Sequence, residues 1–398
     1  MPPFMRHIVQ SLTPRSTTPN LTPRTVTPNI PEEMIIDSHI HLYPATEQDQ
    51  LAWLTQNHPL HGQHSVEDYL AVTRGFNKRG PANIRGFVFV ETDRKHDLEI
   101  EDFGYPLKEV EWLARIQQGL PREGEGHDKE HAKLVLGIVP WAPLPLGPEK
   151  LAAYVEAAKK AAGPSTSKIV GFRYLIQDKP LGTCMEPNFI ESLKWLGKNN
   201  YTFDIGIDMT TESKQGRGCI AMMRAAHKDV PDSEKVRFII NHIIKPDISN
   251  SYLIGNELLA TREFLEWQKI VWELSGFPQT YMKLSGCLSQ MVPISLGNDL
   301  LVGDRVVFEG KDRTSEELYE LIEPWLSVVL EAFGPRRIMW GSDWPVCEAS
   351  PRGKGAWGTW RGICQAWCEH NELSEEEKEW VWWRTCGEGY GLMLEEQN

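Results

Sequence analysis

The chain has 398 residues, 41% hydrophobic and 24% charged, which is an ordinary composition for a globular protein with a large core. Its formal net charge of −13 disfavours nucleic acid and anionic membrane as partners. No run approaches the roughly 18 apolar residues of a membrane span, so a transmembrane helix is excluded as well.

The seven cysteines are irregularly spaced, and none belongs to a Cys-x-x-Cys pair. An odd and irregular set is typical of free thiols in a reducing compartment and not of a disulfide framework. We therefore expect a cytoplasmic protein.

Residues 1–33 differ in composition from the rest of the chain. Thr-Pro occurs four times there, and proline lacks an amide donor and disfavours helix in the residue before it. The segment predicts a disordered tail before a single domain over 34–398. Three arginines and the absence of any acid before Glu32 resemble a mitochondrial transit peptide. Import into mitochondria is thus the alternative location, although the dense prolines oppose the amphipathic helix of such peptides.

From Met34 onward, short apolar runs rich in β-branched residues alternate with longer helical patterns. Runs of this kind are typical of strands that are buried on both faces. They predict eight strands, at 34–40, 84–91, 133–140, 168–174, 201–207, 236–242, 280–286 and 337–343. Helices are predicted between them, at 67–80, 148–163, 187–200 and 315–334.

Eight strands with intervening helices predict an α/β fold, a (β/α)8 TIM barrel with long strand-to-helix loops. Pro324 is expected to kink or divide the helix at 315–334. The long connections 92–132, with its polar stretch "PREGEGHDKEH", and 287–314 are expected to form walls or a lid of the pocket.

Polar side chains end several of these strands, at the face where such a barrel gathers its chemistry. His39 and His41 end the first strand, and the alternation of a strand places both on one face. The polar residues on the other strands are Glu91, Arg173, His242, Lys283, Ser285 and Asp343. A cluster this polar on otherwise apolar strands favours a functional site.

Neutral imidazoles suit zinc and related divalent ions, although two histidines on one strand can also be ordinary hydrogen-bonded residues. Their combination with His242 and Asp343 on other strands favours a metal or catalytic centre. A carboxylate in that position can take a proton from water. The structural alternatives are a satisfied buried histidine for His242 and a helix cap or turn for Asp343.

The remaining polar residues each have two interpretations. Arg173 offers its guanidinium to a substrate carboxylate or hydroxyls, or forms a salt bridge at the barrel rim. Glu91 ligates a metal or holds a histidine in its tautomer. Lys245, in the loop after strand six, contacts substrate or is a solvated surface lysine. Lys283, with Ser285 on the same strand, is a pocket contact or an inner-layer polar residue.

Five segments in this order, "DSHIHL", "GFR", "NHIIKPDI", "KLSG" and "MWGSDWPV", resemble the amidohydrolase-2 group of the amidohydrolase superfamily over about residues 34–392. Within that group, the chain looks most like the fungal sugar-lactone hydrolases of the L-rhamnono-γ-lactonase type. The resemblance implies a distorted (β/α)8 barrel with one mononuclear site. The residues that match the family's site are His39, His41, His242 and Asp343.

Together with the residue pattern, which favours zinc and offers Glu91 as a further candidate ligand, the resemblance predicts one divalent metal or no metal at all. Some lactonases of the group work without one, and there the histidines polarise the lactone carbonyl while the aspartate activates water. The chain departs from the family at Asn241 and Ile244, where an aspartate and a glycine are frequent. Strand four has no evident lysine of the kind that bridges two metals.

The leading hypothesis is the hydrolysis of a small-molecule sugar-acid lactone. Asp343 and His242 are the expected catalytic residues, and Arg173, Lys245 and Lys283 are expected to bind substrate. One rival is the metal-dependent decarboxylation of an aromatic or dienoic acid, which chelation should abolish. The other is a sugar-acid-binding barrel without catalysis. Homo-oligomerisation is left open.

Overall fold

The computed structural model describes residues 34–74, 83–209, 214–248, 256–290, 301–302, 305–306, 314–349 and 353–394. The predicted tail over 1–33, the end of the helix predicted at 67–80 and most of the connection 287–314 lie outside these residues. Among the described helices, none combines the length and apolarity needed to cross a bilayer. All seven cysteines are buried, and none of them forms a disulfide.

All eight predicted strands are present. They are β1 (Met34–Ile40), β2 (Asn83–Val90), β3 (Val135–Val139), β4 (Gly171–Arg173), β5 (Thr202–Ile205), β6 (Arg237–Ile240), β7 (Thr280–Leu284) and β8 (Ile338–Trp340). Parallel ladders run through β1–β2–β3 and through β4 to β8 in chain order. A separate antiparallel pair, Leu301–Val302 with Arg305–Val306, lies in the connection before β8.

Two short seams join the three-stranded and five-stranded sheets into a barrel. Ile138 of β3 forms a parallel bridge with Ile169, two residues before β4. At the other seam, the Asp343 amide donates to the His39 carbonyl over 2.9 Å, and the His41 amide donates to the Trp344 carbonyl over 2.7 Å. Because each seam has only a few bonds, the barrel is distorted, as predicted.

Helices follow the strands. They are α1 (Val66–Arg74), α2 (Gly104–Gln117), α3 (Pro148–Ala162), α4 (Pro187–Lys198), α5 (Lys214–His227), α6 (Asn256–Leu259), α7 (Arg262–Ser275), α8 (Ser315–Phe333), α9 (Ala356–His370), α10 (Glu375–Glu379) and α11 (Thr385–Tyr390), with a π-helix at Trp380–Arg384. The helices predicted at 148–163 and 187–200 are confirmed as α3 and α4.

Pro324 does not divide the last long helix, because α8 runs from Ser315 to Phe333 through it, and the predicted kink stays a prediction. A capping box between Thr314 and Glu317 starts the helix, and its apolar face is buried. These contacts outweigh the loss of one backbone hydrogen bond at the proline. The predicted connection 92–132 contains α2, so its polar stretch belongs to the return from α2 to β3.

Two side chains of α11 pack among the inner side chains of the barrel. The inner residues Ile36, Val88 and Met339 form one apolar cluster together with Cys386 and Tyr390. The outward-facing residues of the same strands pack against the surrounding helices in a second, larger cluster. A helix near the end of the chain therefore contributes side chains to the interior of the barrel.

Glu109 on α2 holds the segment that follows β2. Its Oε1 accepts from the Thr92 amide and from Arg94 Nε, each over 3.2 Å, and from the Thr92 hydroxyl. Arg94 also binds Glu47 and Gln50, so one buried guanidinium joins α2 to the segment after β1. Burial raises the pKa of Glu109 to about 7, although the positive charge of Arg94 opposes the shift.

We expect the Glu109→Gln variant to lose part of the pH dependence of stability. The carboxyl has an ordinary pKa of 4.5 and a folded pKa of about 7, so unfolding releases a proton between these values. Its stabilisation is present below the ordinary pKa and is lost as the pH rises through the folded one, by at most about 1.4 kcal/mol per pH unit. Urea unfolding between about pH 5.5 and 7.5 should therefore show a steeper fall for the wild type. Parallel curves for the two proteins would contradict this assignment.

Candidate active site

Three side chains from the two ends of the barrel sheet converge at its carboxyl face. His39 Nε2 and His41 Nε2 are 3.2 Å apart, and Asp343 Oδ1 lies 3.6 and 3.5 Å from them. His242 approaches the same carboxylate, with its Nε2 3.8 Å from Oδ1. All four side chains are buried. The four residues predicted to form the centre are therefore neighbours.

Left-handed backbone conformations occur where the site residues leave their strands. Four successive residues from His242 to Lys245 have φ between 44 and 58°, and Asp343 has φ 61°. Such conformations cost about 1–3 kcal/mol each outside glycine and persist only where the surroundings impose them. Ile243 is fully buried, and its carbonyl accepts from the Trp267 indole over 2.9 Å. The packed turn thus directs His242 and Lys245.

Two glycines leave room for the histidines. A Cβ at Gly286, which has φ +69°, would lie 2.6 Å from His242 Nδ1. A Cβ at Gly341 would lie 3.0 Å from the His39 Cβ. Both distances are below ordinary van der Waals contact, so any side chain at these positions would displace an imidazole or its strand.

Asp37 ties the first strand to the last. Its Oδ1 accepts from the Ser342 amide over 2.8 Å and from the His39 amide over 3.3 Å. Its Oδ2 accepts from the Tyr69 hydroxyl over 2.9 Å and from the Trp357 indole over 3.3 Å. This buried carboxylate thus binds the backbone of His39 at the end of the first strand. It also binds the backbone of Ser342, the residue before Asp343, at the end of the last strand.

Burial controls the protonation of the site. It lowers the pKa of His242 to about 3, and it lowers the pKa of His39 well below the ordinary value, with the charge of Lys283 adding to the effect. Burial opposes ionisation of Asp343, but His242 and His41 together hold the pKa of that carboxyl below its ordinary value. The site therefore combines the neutral imidazoles of His39 and His242 with an ionised carboxylate.

The hydrogen-bond partner of Nδ1 in each histidine determines which of its two ring nitrogens carries the proton. His41 Nδ1 faces two carbonyl oxygens, of Val90 at 2.8 Å and of Glu91 at 3.0 Å. This nitrogen must donate, so a neutral His41 presents a lone pair at Nε2. His242 Nδ1 lies 2.9 Å from the Ser285 hydroxyl, which can either donate or accept.

The spacing of the donors suits a divalent ion. Two ligands about 2.0–2.1 Å from a tetrahedral zinc lie about 3.3 Å apart, close to the distances among His39, His41 and Asp343. Donation from the outer nitrogen to a carbonyl, as in His41, is the usual arrangement of a metal-binding histidine. Among the described residues, these three donors lie within 4.8 Å of one another. His242 and Glu91, also predicted as ligands, stand outside that group.

Glu91 and Arg173 form a buried ion pair. Arg173 Nε donates to the Glu91 carboxylate, and Nη2 donates to the Glu91 carbonyl over 2.9 Å. Burial opposes the charge of Arg173, but Glu91 outweighs it and the pKa of the guanidinium is raised. The salt-bridge interpretation of Arg173 is confirmed, and the pair leaves part of the guanidinium for other contacts.

The two predicted substrate-binding lysines have different surroundings. Lys245 is half-buried, and its Nζ donates to Gln177 Oε1 over 2.7 Å. Lys283 is fully buried, and its Nζ lies between Asp204 Oδ2, at 2.7 Å, and His39 Nδ1, at 3.1 Å. Lys283 therefore lies in the inner layer of the barrel, and its contact with substrate stays a prediction.

Sequence reasoning missed Asp204 and Tyr390. The Tyr390 hydroxyl donates to Asp204, 2.7 Å from Oδ2, inside the barrel. An aspartate in the middle of the apolar run "YTFDIGI" was the available signal for Asp204. No local pattern points to Tyr390, because its role depends on the packing of α11.

Comparisons with known proteins agree with this arrangement. A family model described as Amidohydrolase matches residues 205–392. The chain is 31% identical over 365 residues to an L-rhamnono-gamma-lactonase of Scheffersomyces stipitis, covering 90% of this chain and 98% of that protein. The chain therefore belongs to the amidohydrolase family.

Two further similarities are more distant. An L-fucono-1,5-lactonase of Burkholderia multivorans is 24% identical over 248 residues, which are 60% of this chain and 68% of that protein. The crystal structure of an amidohydrolase from Burkholderia multivorans with bound zinc has a TM-score of 0.61 at 19% identity, covering 90% of this chain and 100% of that chain. The latter shows a shared fold.

If zinc binds, we expect it to use His41, so His41→Gln should lower the zinc affinity by at least about tenfold. The matched control is His64→Gln, because His64 lies beside the site, with its ring 5.5 Å from the Trp344 ring, but outside the converging donors. Competition with a chromophoric chelator measures both affinities. Equal zinc affinities for the two variants would refute the assigned ligands.

Proposed function

We propose that the protein hydrolyses a sugar-acid lactone of the L-rhamnono-1,4-lactone type. The observation that carries the proposal is the ionised Asp343, with Oδ1 between 3.5 and 3.8 Å from three buried imidazole nitrogens. The similarity to proteins named L-rhamnono-gamma-lactonase and L-fucono-1,5-lactonase supports the same class of substrate.

Asp343 acts as the general base in this mechanism. Its carboxylate takes one proton from a water molecule, and the water oxygen attacks the lactone carbonyl carbon. The bond between that carbon and the ring oxygen then breaks. The proton returns from Asp343 to the ring oxygen, so the product is an open-chain hydroxy acid and all atoms of water are accounted for.

The histidines polarise the carbonyl and stabilise the oxyanion that forms on attack. His242 supplies an N–H at Nε2 when the Ser285 hydroxyl donates to its Nδ1. His41 presents a lone pair, which suits it to accept a hydrogen bond or to hold a metal. This division of roles refines the expectation that all three histidines polarise the carbonyl in the same way.

A divalent ion held by His41 and Asp343 would supply Lewis-acid polarisation of the same carbonyl. Lys245 is suited to contact the hydroxyls of the substrate, because it is half-buried and its charge reaches both His242 and Asp343. Arg173 contributes the part of its guanidinium that Glu91 leaves accessible.

We expect Asp343→Asn to reduce lactone hydrolysis by about 10²–10⁴-fold, because the amide cannot accept the proton from water. The measurement is acid release from L-rhamnono-1,4-lactone above the spontaneous rate, with the fold checked by circular dichroism. Asp178→Asn is the matched control, since Asp178 is exposed on the loop after β4 and should leave the rate unchanged.

Full activity of a folded Asp343→Asn variant would eliminate the proposed base. A folded wild type without activity on this lactone or on L-fucono-1,5-lactone would defeat the proposed function. Carbon dioxide release from a carboxylated aromatic would then favour the decarboxylase, and tight binding of a sugar acid without turnover would favour a binding protein.

A further inference from the structure

Lys283 connects the interior of the barrel to the site. Its Nζ lies 2.7 Å from Asp204 Oδ2 and 3.1 Å from His39 Nδ1, and its side chain is fully buried. Tyr390 donates its hydroxyl to the same carboxylate, and its ring lies 5.2 Å from the Lys283 ammonium. One hydrogen-bonded chain therefore runs from α11 through β5 and β7 to His39 on β1.

Asp204 determines the direction of these hydrogen bonds. Burial lowers the pKa of Lys283, but the Asp204 carboxylate 2.7 Å away opposes this shift and favours the ammonium, which has protons to donate and no lone pair. His39 Nδ1 must then accept from Lys283. An imidazole with a lone pair at Nδ1 is neutral and carries its one ring proton on Nε2, which in His39 is the nitrogen that faces His41 and Asp343.

This arrangement is unfavourable for a metal ligand. A metal-binding histidine normally donates its outer N–H to a carboxylate, a carbonyl or water, as His41 does. The outer nitrogen of His39 instead faces a cation. With the proton on Nε2, His39 has no lone pair to offer to an ion, but it has a hydrogen-bond donor to offer to an oxygen.

We propose that Lys283, held by Asp204 and Tyr390, keeps His39 in the Nε2–H tautomer, so that His39 donates to the substrate carbonyl and binds zinc weakly. Lys283 acts through His39 and is a positioning residue. The donation to a carbonyl rests on the proposed lactone hydrolysis, whereas the tautomer and the weak zinc binding are independent of any substrate.

The tautomer can be observed directly in the metal-free wild type. Long-range ¹H–¹⁵N correlation spectra of the full chain with ¹⁵N-labelled histidine distinguish a protonated from an unprotonated ring nitrogen. The His39→Gln variant identifies the signals of His39 by their loss. We expect the proton on Nε2, and a proton on Nδ1 would overturn the proposal without any need for a Lys283 variant.

Zinc affinity provides the second test. The double variant Lys283→Met, Asp204→Asn removes the lysine together with its counter-ion, so no buried charge is left unpaired and the net charge is unchanged. Freed from the cation, His39 can move its proton to Nδ1, and the affinity for zinc should rise by about 10–100-fold. An unchanged or lower affinity in the folded double variant would contradict the proposal.

Lys245→Met is the matched control for charge. Lys245 also acts electrostatically on His242 and Asp343, but its Nζ contacts Gln177. If the effect were only the removal of a positive charge near the ion, Lys245→Met should raise the zinc affinity by a similar factor. The proposal expects a much smaller rise in this variant, and an equal rise would refute it.

Kinetics separate this proposal from the proposed function. In the double variant, kcat for the lactone should fall by about 10²–10³-fold, with KM less affected, because the lost donor acts on the oxyanion. The lactonase function alone would be defeated if the wild type were inactive but carried the His39 proton on Nε2 and the double variant bound zinc more tightly. An active wild type with the proton on Nδ1 would defeat the tautomer proposal alone.

Discussion

Closure of the barrel between β1 and β8 is the constraint on which the site depends. His39 and His41 lie far from Asp343 in the sequence, and two backbone hydrogen bonds across this seam bring them together. Asp37 strengthens the seam by accepting amides from both strands. The spacing of the donors is therefore set by backbone geometry and not by mobile side chains, which is how a preorganised centre avoids reorganisation during reaction.

Charges alternate around the barrel interior in a belt formed by Glu91, Arg173, Asp204 and Lys283. Glu91 pairs with Arg173, Arg173 is the ladder partner of Asp204, and Asp204 pairs with Lys283. Buried ion pairs seldom add net stability, because desolvation offsets the attraction. An orienting role explains the belt better, since it adjoins His41 at one end, through the Glu91 carbonyl, and His39 at the other.

The strands were predictable because a strand buried on both faces has an uninterrupted apolar run, and the polar residues that end such runs pointed to His39, His242 and Asp343. The unbroken α8 was not predictable, because tertiary packing outweighs the local effect of Pro324. The protonation state of each histidine could not be predicted from the sequence either. It depends on partners that are distant in sequence, such as Lys283 for His39, and no local pattern records such contacts.

The position of Tyr390 has a consequence for the order of assembly. Since α11 follows every strand of the barrel along the chain, a ribosome completes all eight strands before it adds this helix. A nascent chain that ends at β8 contains both histidines and the carboxylate but lacks the hydroxyl that engages Asp204. The hydrogen bonds that hold Asp204 beside Lys283 are therefore complete only after α11 has been synthesised.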